Sequence, residues 1–536
     1  MIKNYLKITI RNLSKHKFYS AINIFGLAIG LASCLLIFLY VTDELSYDRF
    51  HEKADSIYRV NWDFKWNNNE GIGAGTPPPL AVKLVNEIPE IKATTRIYPI
   101  SDMIVRYEDK FFTETRILGV DPNFFDFFTV EVLAGNPATA LSTPNSVILT
   151  REMAQKYFGP EPALGKILFI GEDKTDFAGP YSKTFKVTGV VEALPHNSHF
   201  QFDLLTSMSS HPRVKYFDWS WVWMQVVTYA MIEDPATISA IEAKIPAMVE
   251  KHGQATFKVI GTSYDELINS GGRWNFVFQP LTDIHLGSAN IGNRLGPVGN
   301  RMYVYLFSVI AVFVLLIACI NFMNLSTARS ANRAKEVGVR KVLGSVRRTL
   351  VAQFITESML FSVLAMLIAI GLTELFLPQF NQIAGKNLEL NLLQHGVLPL
   401  FLLCLTLFVG LAAGSYPGLY LSSFRPVEVL TGKIGRDGKK SHLRNLLVVF
   451  QFAISIGLII CTLLVKKQMD YVRQVDLGFN KEGLIVISNE NNRLGNQAVT
   501  FKEIIKNKAQ VVNATISTAV PPFGGFQDFY KINSKG

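Results

Sequence analysis

The chain has 536 residues, 49% of them hydrophobic, with 53 basic residues against 43 acidic and a positive mean hydropathy of +0.22. It is too long for one ordinary domain and too apolar for a typical soluble one. No basic folded domain accounts for the net charge of +10, so the charge does not signal nucleic-acid binding.

In chain order, residues 1–17 form a basic segment: Lys3, Lys7, Arg11, Lys15 and Lys17 stand there without an acid. Residues 18–42 carry no formal charge, and a helix of that length is about 38 Å long, enough to cross a hydrocarbon core of roughly 30 Å. This first span is too long for a signal peptide and ends in "YVTDELSYD" without a small-x-small cleavage site, so it reads as a retained anchor. Residues 43–300 read as a large mixed α+β domain. In "YRVNWDFKW" apolar residues alternate with polar ones, the pattern of a half-buried strand. "PPPLAVKLVNEI" predicts a helix behind its prolines, and "MIVRYEDKFFTE" a hairpin about residues 108–110. "SVILTREMAQKYFG" predicts a strand, a Thr150 cap and a helix stopped by Gly159. "TFKVTGVVEAL" and "WSWVWMQVVTYAMI" predict strands. "ATISAIEAKIPAMVEKHG" predicts a kinked helix ending at Gly253.

Further spans are expected at about 302–324, 354–377 and 397–420, within a membrane module over 301–424, and a fifth at 445–465. The 329–348 loop holds seven basic residues against Glu336 alone, and the 425–444 loop is also basic. Together with residues 1–17 these predict cytoplasmic loops, an N-terminus inside, and residues 43–300 outside. The outside domain then carries net −8 and the rest of the chain +18. All four cysteines, Cys34, Cys319, Cys404 and Cys461, fall in the spans, so the outside domain is expected to fold on an ordinary core without disulfides.

The segment "ANRAKEVGVRKVLGS", 331–345, joins two spans with more residues than a turn needs. On a helical wheel Arg333, Glu336, Arg340 and Gly344 share one face, while Val339, Val342 and Val346 lie opposite with Gly338 among them. Such an amphipathic helix, fused to two spans, is a stiff handle on the cytoplasmic side; a positive-inside anchor lying on lipid headgroups has the same pattern.

"RAKEVGVRKVLGSVRRTLVAQFITESML" resembles the signature that follows the second span in MacB/FtsX-type ABC transporter permeases. "YVTDELSYDRFHEKADSIYRV", "FKVTGVVEALPHNSHFQFDLL" and "GSYPGLYLSSFRPVEVLTGK" extend the resemblance over nearly the whole chain. The resemblance implies an α-helical transmembrane bundle of about five spans here, plus a MacB-like periplasmic core domain, in a bacterial inner membrane. It implies that 331–345 is a coupling helix, with Arg333, Glu336, Val337, Gly338, Arg340, Lys341 and Gly344 contacting a cytoplasmic ABC ATPase dimer. ATP and Mg would then sit on that partner, with no cofactor on this chain, and the stroke would reshape the periplasmic domain to export a drug, peptide or lipoprotein-like substrate. Further implied partners are a second permease copy, a periplasmic membrane-fusion protein and an outer-membrane channel. The alternative is a non-transporting receptor or scaffold that senses a ligand or activates an envelope enzyme. The version closest to this sequence has two outside domains and eight spans. "IRNLSKHKFYSAINIFGLAIG" near the start and "LRNLLVVFQFAISIGLIICT" near residue 443 echo each other, each running from Arg-Asn-Leu into a span. The expectation is therefore a truncated two-repeat permease, with residues 466–536 beginning a second outside domain.

Other motifs weigh less. "GPEPALGKI" has one residue too many between its glycines for a phosphate loop and Ile where Ser or Thr must reach magnesium. His196 and His199 in "HNSH" lack further ligands at metal spacing and read as a polar turn. Trp219, Trp221 and Trp223, on one strand face, read as core more readily than as a surface for peptide or acyl chains. Gly26 and Gly30, with Gly410, Gly414 and Gly418, permit close helix approach within the chain or with a second copy. Pro417 is a candidate hinge in the fourth span. No span carries Asp, Lys or Arg near its middle, so no ion path is expected, and no catalytic constellation is readable.

Overall fold

The computed structural model describes residues 11, 15, 17–66, 69–100, 103–171, 175–176, 179–180, 183–259, 261–292, 295–328, 337–391, 397–422, 442–475, 483–487 and 497–517. Among them are five helices long and apolar enough to span a membrane: Lys17–Ser46, Arg301–Ala328, Arg347–Ala384, Val397–Ser422 and His442–Gln474. They are called here the first to fifth membrane helices, and with them the chain is a multi-pass membrane protein carrying a large mixed α+β domain, the head. The third helix is far longer than its apolar stretch suggests. Its 38 residues extend about 57 Å, so roughly half of it projects beyond the hydrocarbon core.

The first helix packs between the second and the third, and the third packs in turn on the fourth. Leu27, Leu31 and Leu35 are buried with Ala318 and Cys319 of the second helix, Ala365 and Ala369 of the third, and Val409 and Ala413 of the fourth. The fifth helix stands apart: no residue of its apolar stretch is buried, and the hydrogen bond from Asn324 to Gln451 (3.2 Å) links it to the second helix.

The head is built on one large mixed sheet, with fourteen strands among the described residues. Strand Ile57–Trp66 pairs antiparallel with both Val227–Ile232 and Arg273–Pro280. Strand Lys183–Val191 runs parallel to Ser146–Thr150, and Leu204–Ser207 parallel to Ile117–Val120. Alternation along Ile57–Trp66 puts Tyr58, Val60, Trp62, Phe64 and Trp66 against one core, which helices Leu80–Glu87 and Ile238–Val259 cover. Phe124, Phe127 and Phe128 of the "NFFDFF" run fill a second core with Phe200 and Phe202. Thr150 caps helix Arg151–Phe158 by accepting the Met153 N–H, and Gly159 ends it at φ +64°. The hairpin closes on Glu108 and Asp109, with Tyr107 facing Lys110 and Glu108 at φ +51°.

Two elements depart from expectation. Helix Ile238–Val259 runs through Gly253, because the missing side chain there leaves room for the Phe257 ring, 2.9 Å from where a Cβ would stand. The tryptophan segment is not a strand before Val226. The Ser220 hydroxyl accepts the N–H groups of Val222 and Trp223, and this local turn competes with the sheet. The three rings therefore do not share a face. Trp221 is buried, Trp223 stacks on Phe217 at 4.7 Å, and Trp219 is half exposed.

His51 and His211 give the head an acid sensitivity. Burial pushes each imidazole down to about 4; the Asp48 charge opposes this at His51, and Lys183 reinforces it at His211. Nδ1 of His51 accepts the Thr129 N–H at 3.1 Å, which protonation would forbid. The unfolded chain protonates near 6.5 and the folded one only near 4, so stability is complete above about pH 6.5 and falls as pH drops toward 4, by up to about 3 kcal/mol per histidine. All six tryptophans lie in the head, so their emission reports its unfolding. The expected result for the full chain in detergent is a melting temperature at least about 5 °C lower at pH 4.5 than at pH 7.5. A midpoint constant across that window would contradict the assignment.

Candidate functional site

Residues 337–342 form a short helix at the end of the bundle where the third helix begins and the fourth ends. Gly344 terminates it at φ +94°, which suits glycine and strains other residues. Ser345 N–H reaches back to the Arg340 carbonyl (2.9 Å) and Gly344 N–H to that of Lys341 (3.1 Å), the paired bonds of a Schellman ending. The chain then reverses through Val346 into the third helix at Arg347.

The charged residues of this segment are turned toward the bundle. The Arg340 guanidinium donates to Gln353 Oε1 at 2.6 Å. Lys341 Nζ donates to the Ser422 carbonyl at the end of the fourth helix (2.7 Å), and Arg347 Nε to the Ser422 hydroxyl (3.3 Å). Burial and then the neighbouring Arg347 charge hold the Lys341 ammonium below its ordinary pKa. Val337 and Gly338 are buried beneath them. What remains outward is apolar: Val339, Val342, Leu343 and Val346, with Leu343 80% exposed. The wheel drawn from the sequence places Arg340 on an outward polar face. The structure places it on the inward one, because the end of the fourth helix offers carbonyl and hydroxyl acceptors that a one-dimensional pattern does not contain. Arg333 and Glu336 lie outside the described residues, as do most of 1–17, all of 423–441 and much of 466–536.

The third helix is clamped to the fourth along a seam of small residues. A Cβ on Gly410 would meet Met359 Sδ at 2.6 Å, one on Gly414 the Ser358 Cβ at 2.9 Å, and one on Gly418 the Phe354 Cβ at 3.5 Å. On the other side of the bundle, a Cβ on Gly30 would stand 2.6 Å from Ala318 Cβ, and one on Gly26 3.5 Å from Asn321 Nδ2. All five glycines thus mark close approach between helices of this one chain. Pro417 lies inside the fourth helix and withholds a backbone donor from the turn before it.

At the opposite end, the first helix is tied into the head by the "HNSH" turn. Asn197 donates to the Ser46 hydroxyl (2.9 Å) and accepts the Asp48 N–H through its carbonyl (2.9 Å). Asp48, fully buried at φ +60°, accepts the His199 N–H (3.0 Å) and a hydrogen bond from His199 Nδ1 (2.8 Å); His199 Nε2 in turn meets the Tyr229 hydroxyl (2.7 Å). Burial alone would raise the Asp48 pKa, but the charge and hydrogen bonds of His199 hold it below the usual carboxylate range. The turn is therefore a clamp on the first helix rather than a solvated loop. The signal available in the sequence was two histidines and an asparagine at one turn, with no indication of their partners some 150 residues away.

Residues 20–248 match the MacB-like periplasmic core domain, and residues 308–426 the FtsX-like permease C-terminal domain. The chain is 20% identical over 451 residues to the ABC transporter permease YvrN of Bacillus subtilis (strain 168), an alignment covering 80% of this chain and 98% of YvrN. It is 27% identical over 186 residues to the macrolide export ATP-binding/permease protein MacB of Bdellovibrio bacteriovorus, covering 34% of this chain and 27% of that protein. With MacB of Haemophilus ducreyi the identity is 24% over 426 residues, covering 78% and 54%. The chain thus spans about half the length, or less, of these two MacB proteins. Among solved structures, a domain of a permease protein from Porphyromonas gingivalis aligns at 22% identity and TM-score 0.37, covering 48% of this chain and 99% of that one. The periplasmic region of MacB from Actinobacillus actinomycetemcomitans aligns at 15% identity and TM-score 0.29, covering 43% and 91%.

Proposed function

Because the chain belongs to the MacB/FtsX-type ABC transporter permeases, we propose that it is the membrane subunit through which a separate cytoplasmic ABC ATPase drives a conformational change in the head, with residues 337–346 as the docking segment. One observation carries this reading: an apolar knob of Val339, Val342, Leu343 and Val346 is held out by a segment whose charged side chains are spent on fixing it to the third and fourth helices. A patch of this kind, backed by rigid hydrogen bonds, suits a groove on a protein partner. The names of the MacB relatives join ATP binding and a permease in one protein, which supports an ABC ATPase as the source of the stroke. In this reading the N-terminus and residues 337–346 are cytoplasmic and the head is periplasmic, as the basic loops imply. The stroke moves the third helix, whose glycine seam carries the fourth with it, and the head exports or releases a drug, peptide or lipoprotein-like substrate. A membrane-fusion protein, an outer-membrane channel and a second permease copy complete the assembly.

The test is disulfide or bifunctional crosslinking from Leu343→Cys in a background lacking the four native cysteines. The expected result is a crosslinked species with the ABC ATPase in inverted membranes. Labelling of that cysteine by impermeant reagents from outside unbroken cells would overturn the orientation and the role together.

A further inference from the structure

The first helix, the end of the third and the head converge on one buried ionic joint. Near the end of the first helix, Asp43 and Glu44 are 8% and 3% exposed. Two adjacent buried carboxylates repel each other unless a cation stands between them. Lys386, two residues beyond the end of the third helix, supplies it from 343 positions away. Its Nζ donates to Asp43 Oδ2 (2.8 Å), Glu44 Oε1 (2.6 Å) and the Tyr47 hydroxyl (3.1 Å), which uses all three ammonium donors. Burial alone would depress this ammonium; the hydrogen bonds and the charge of Asp43 outweigh it and hold its pKa above the ordinary value.

The outer oxygens of the same carboxylates belong to the head. His196 Nε2 meets Asp43 Oδ1 at 2.7 Å, and His285 Nε2 meets Glu44 Oε2 at 3.0 Å, with the His285 ring stacked 3.4 Å from Tyr47. Gly299, in the link from the head into the second helix, closes over the site: a Cβ there would stand 2.3 Å from Glu44 Oε2 and 2.7 Å from His285 Nε2. Each carboxylate is thus gripped by Lys386 on one oxygen and by a head residue on the other.

We propose that this joint is where the motion of the third helix is handed to the head, with Lys386, Asp43 and Glu44 as positioning residues of the coupling. The inference rests on the proposed ATP-driven role and names the place where that role is transmitted. A buried, hydrogen-bonded ion cluster suits the task, because a partial displacement leaves charges unpaired away from water, so the bodies move together. An apolar contact at the same place would let one slide over the other.

The experiment uses the full chain reconstituted with its ATPase, without native cysteines, carrying nitroxide labels at Leu164→Cys on the head and Met469→Cys on the fifth helix, which stands apart from the third, both exposed positions. In the otherwise unsubstituted protein, ATP should change the label-to-label distance distribution. In Lys386→Met the ATPase should still bind and hydrolyse ATP within about twofold of the parent, while the ATP-driven change falls at least about fivefold. Lys386→Arg, which keeps the charge and offers a fork of N–H donors, should restore most of the change, a rescue that a merely space-filling role would not give. Gly299→Ala should lose it as Lys386→Met does. If Lys386→Met loses the tryptophan unfolding transition of the head, His196→Gln replaces it; that side chain is 54% exposed, and the same loss is expected. Full ATP-driven change in folded Lys386→Met, or in folded His196→Gln, together with Gly299→Ala, overturns the joint. No ATP-driven change in the parent overturns the proposed function and the joint with it.

Discussion

Leu343→Asp is expected to abolish docking of the ATPase, with at least about a hundredfold loss of affinity and stimulated hydrolysis at background. Leu343 stands at the tip of the Schellman ending with 80% of its surface free, flanked by Val339, Val342 and Val346. Burying such a side chain in a partner groove contributes about 1.5–3 kcal/mol, and forcing a carboxylate into the same groove adds a desolvation cost of at least similar size. Together these exceed the roughly 2.7 kcal/mol that corresponds to a hundredfold change in binding. Arg340→Ala should behave differently. It removes a brace to Gln353 rather than a contact, so the segment loosens and coupling weakens by about threefold to tenfold. The comparison is made by ATPase titration against the reconstituted chain. If Arg340→Ala costs more than Leu343→Asp, the charged face is the docking face. If neither changes affinity, the apolar knob lies on lipid headgroups instead.

A second large effect is expected at the contact between the first and second helices. In Gly30→Ala the new methyl would stand 2.6 Å from that of Ala318, against the 3.5–4 Å that two carbons need, so the helices must part by about 1 Å. Overpacking of this kind costs about 1–3 kcal/mol. The exchange is reciprocal: Ala318→Gly in the Gly30→Ala background moves one methyl across the seam and should restore the packing. Cys34 and Cys319 are both buried close to the contact and supply the readout. Their reaction with a thiol reagent should quicken at least about fivefold in Gly30→Ala and return to the parent rate in the double variant, since local opening scales with the destabilisation. Equal rates in all three proteins would show that the two helices do not meet there.

Much of the head is legible from local pattern. The alternation in Ile57–Trp66, the Thr150 cap, the Gly159 stop and the Glu108–Asp109 hairpin turn each depend on residues within a few positions of one another. Where the reading fails, a local signal met a competitor. Gly253 looks like a helix stop, yet Phe257 occupies the space its missing side chain leaves, and the helix continues. The tryptophan run looks like a strand, yet the Ser220 hydroxyl captures the backbone donors that a ladder would need. The 337–346 segment shows the same limit. Its helical period is readable, but which face turns inward depended on Ser422 and Gln353, which belong to other helices.

The sequence by itself determined the five membrane helices, because a run of apolar residues long enough to cross hydrocarbon must satisfy its own backbone hydrogen bonds and can do so only as a helix. It also determined the family to which the chain belongs. Only the tertiary structure decided the outward apolar knob at Leu343 and the joint of Asp43, Glu44, His196, His285 and Lys386. The physical reason is one of range. Hydrophobicity and period are sums over neighbours in the chain. A buried carboxylate is stabilised by whichever cation the fold brings within 3 Å, and here that cation lies 343 residues away.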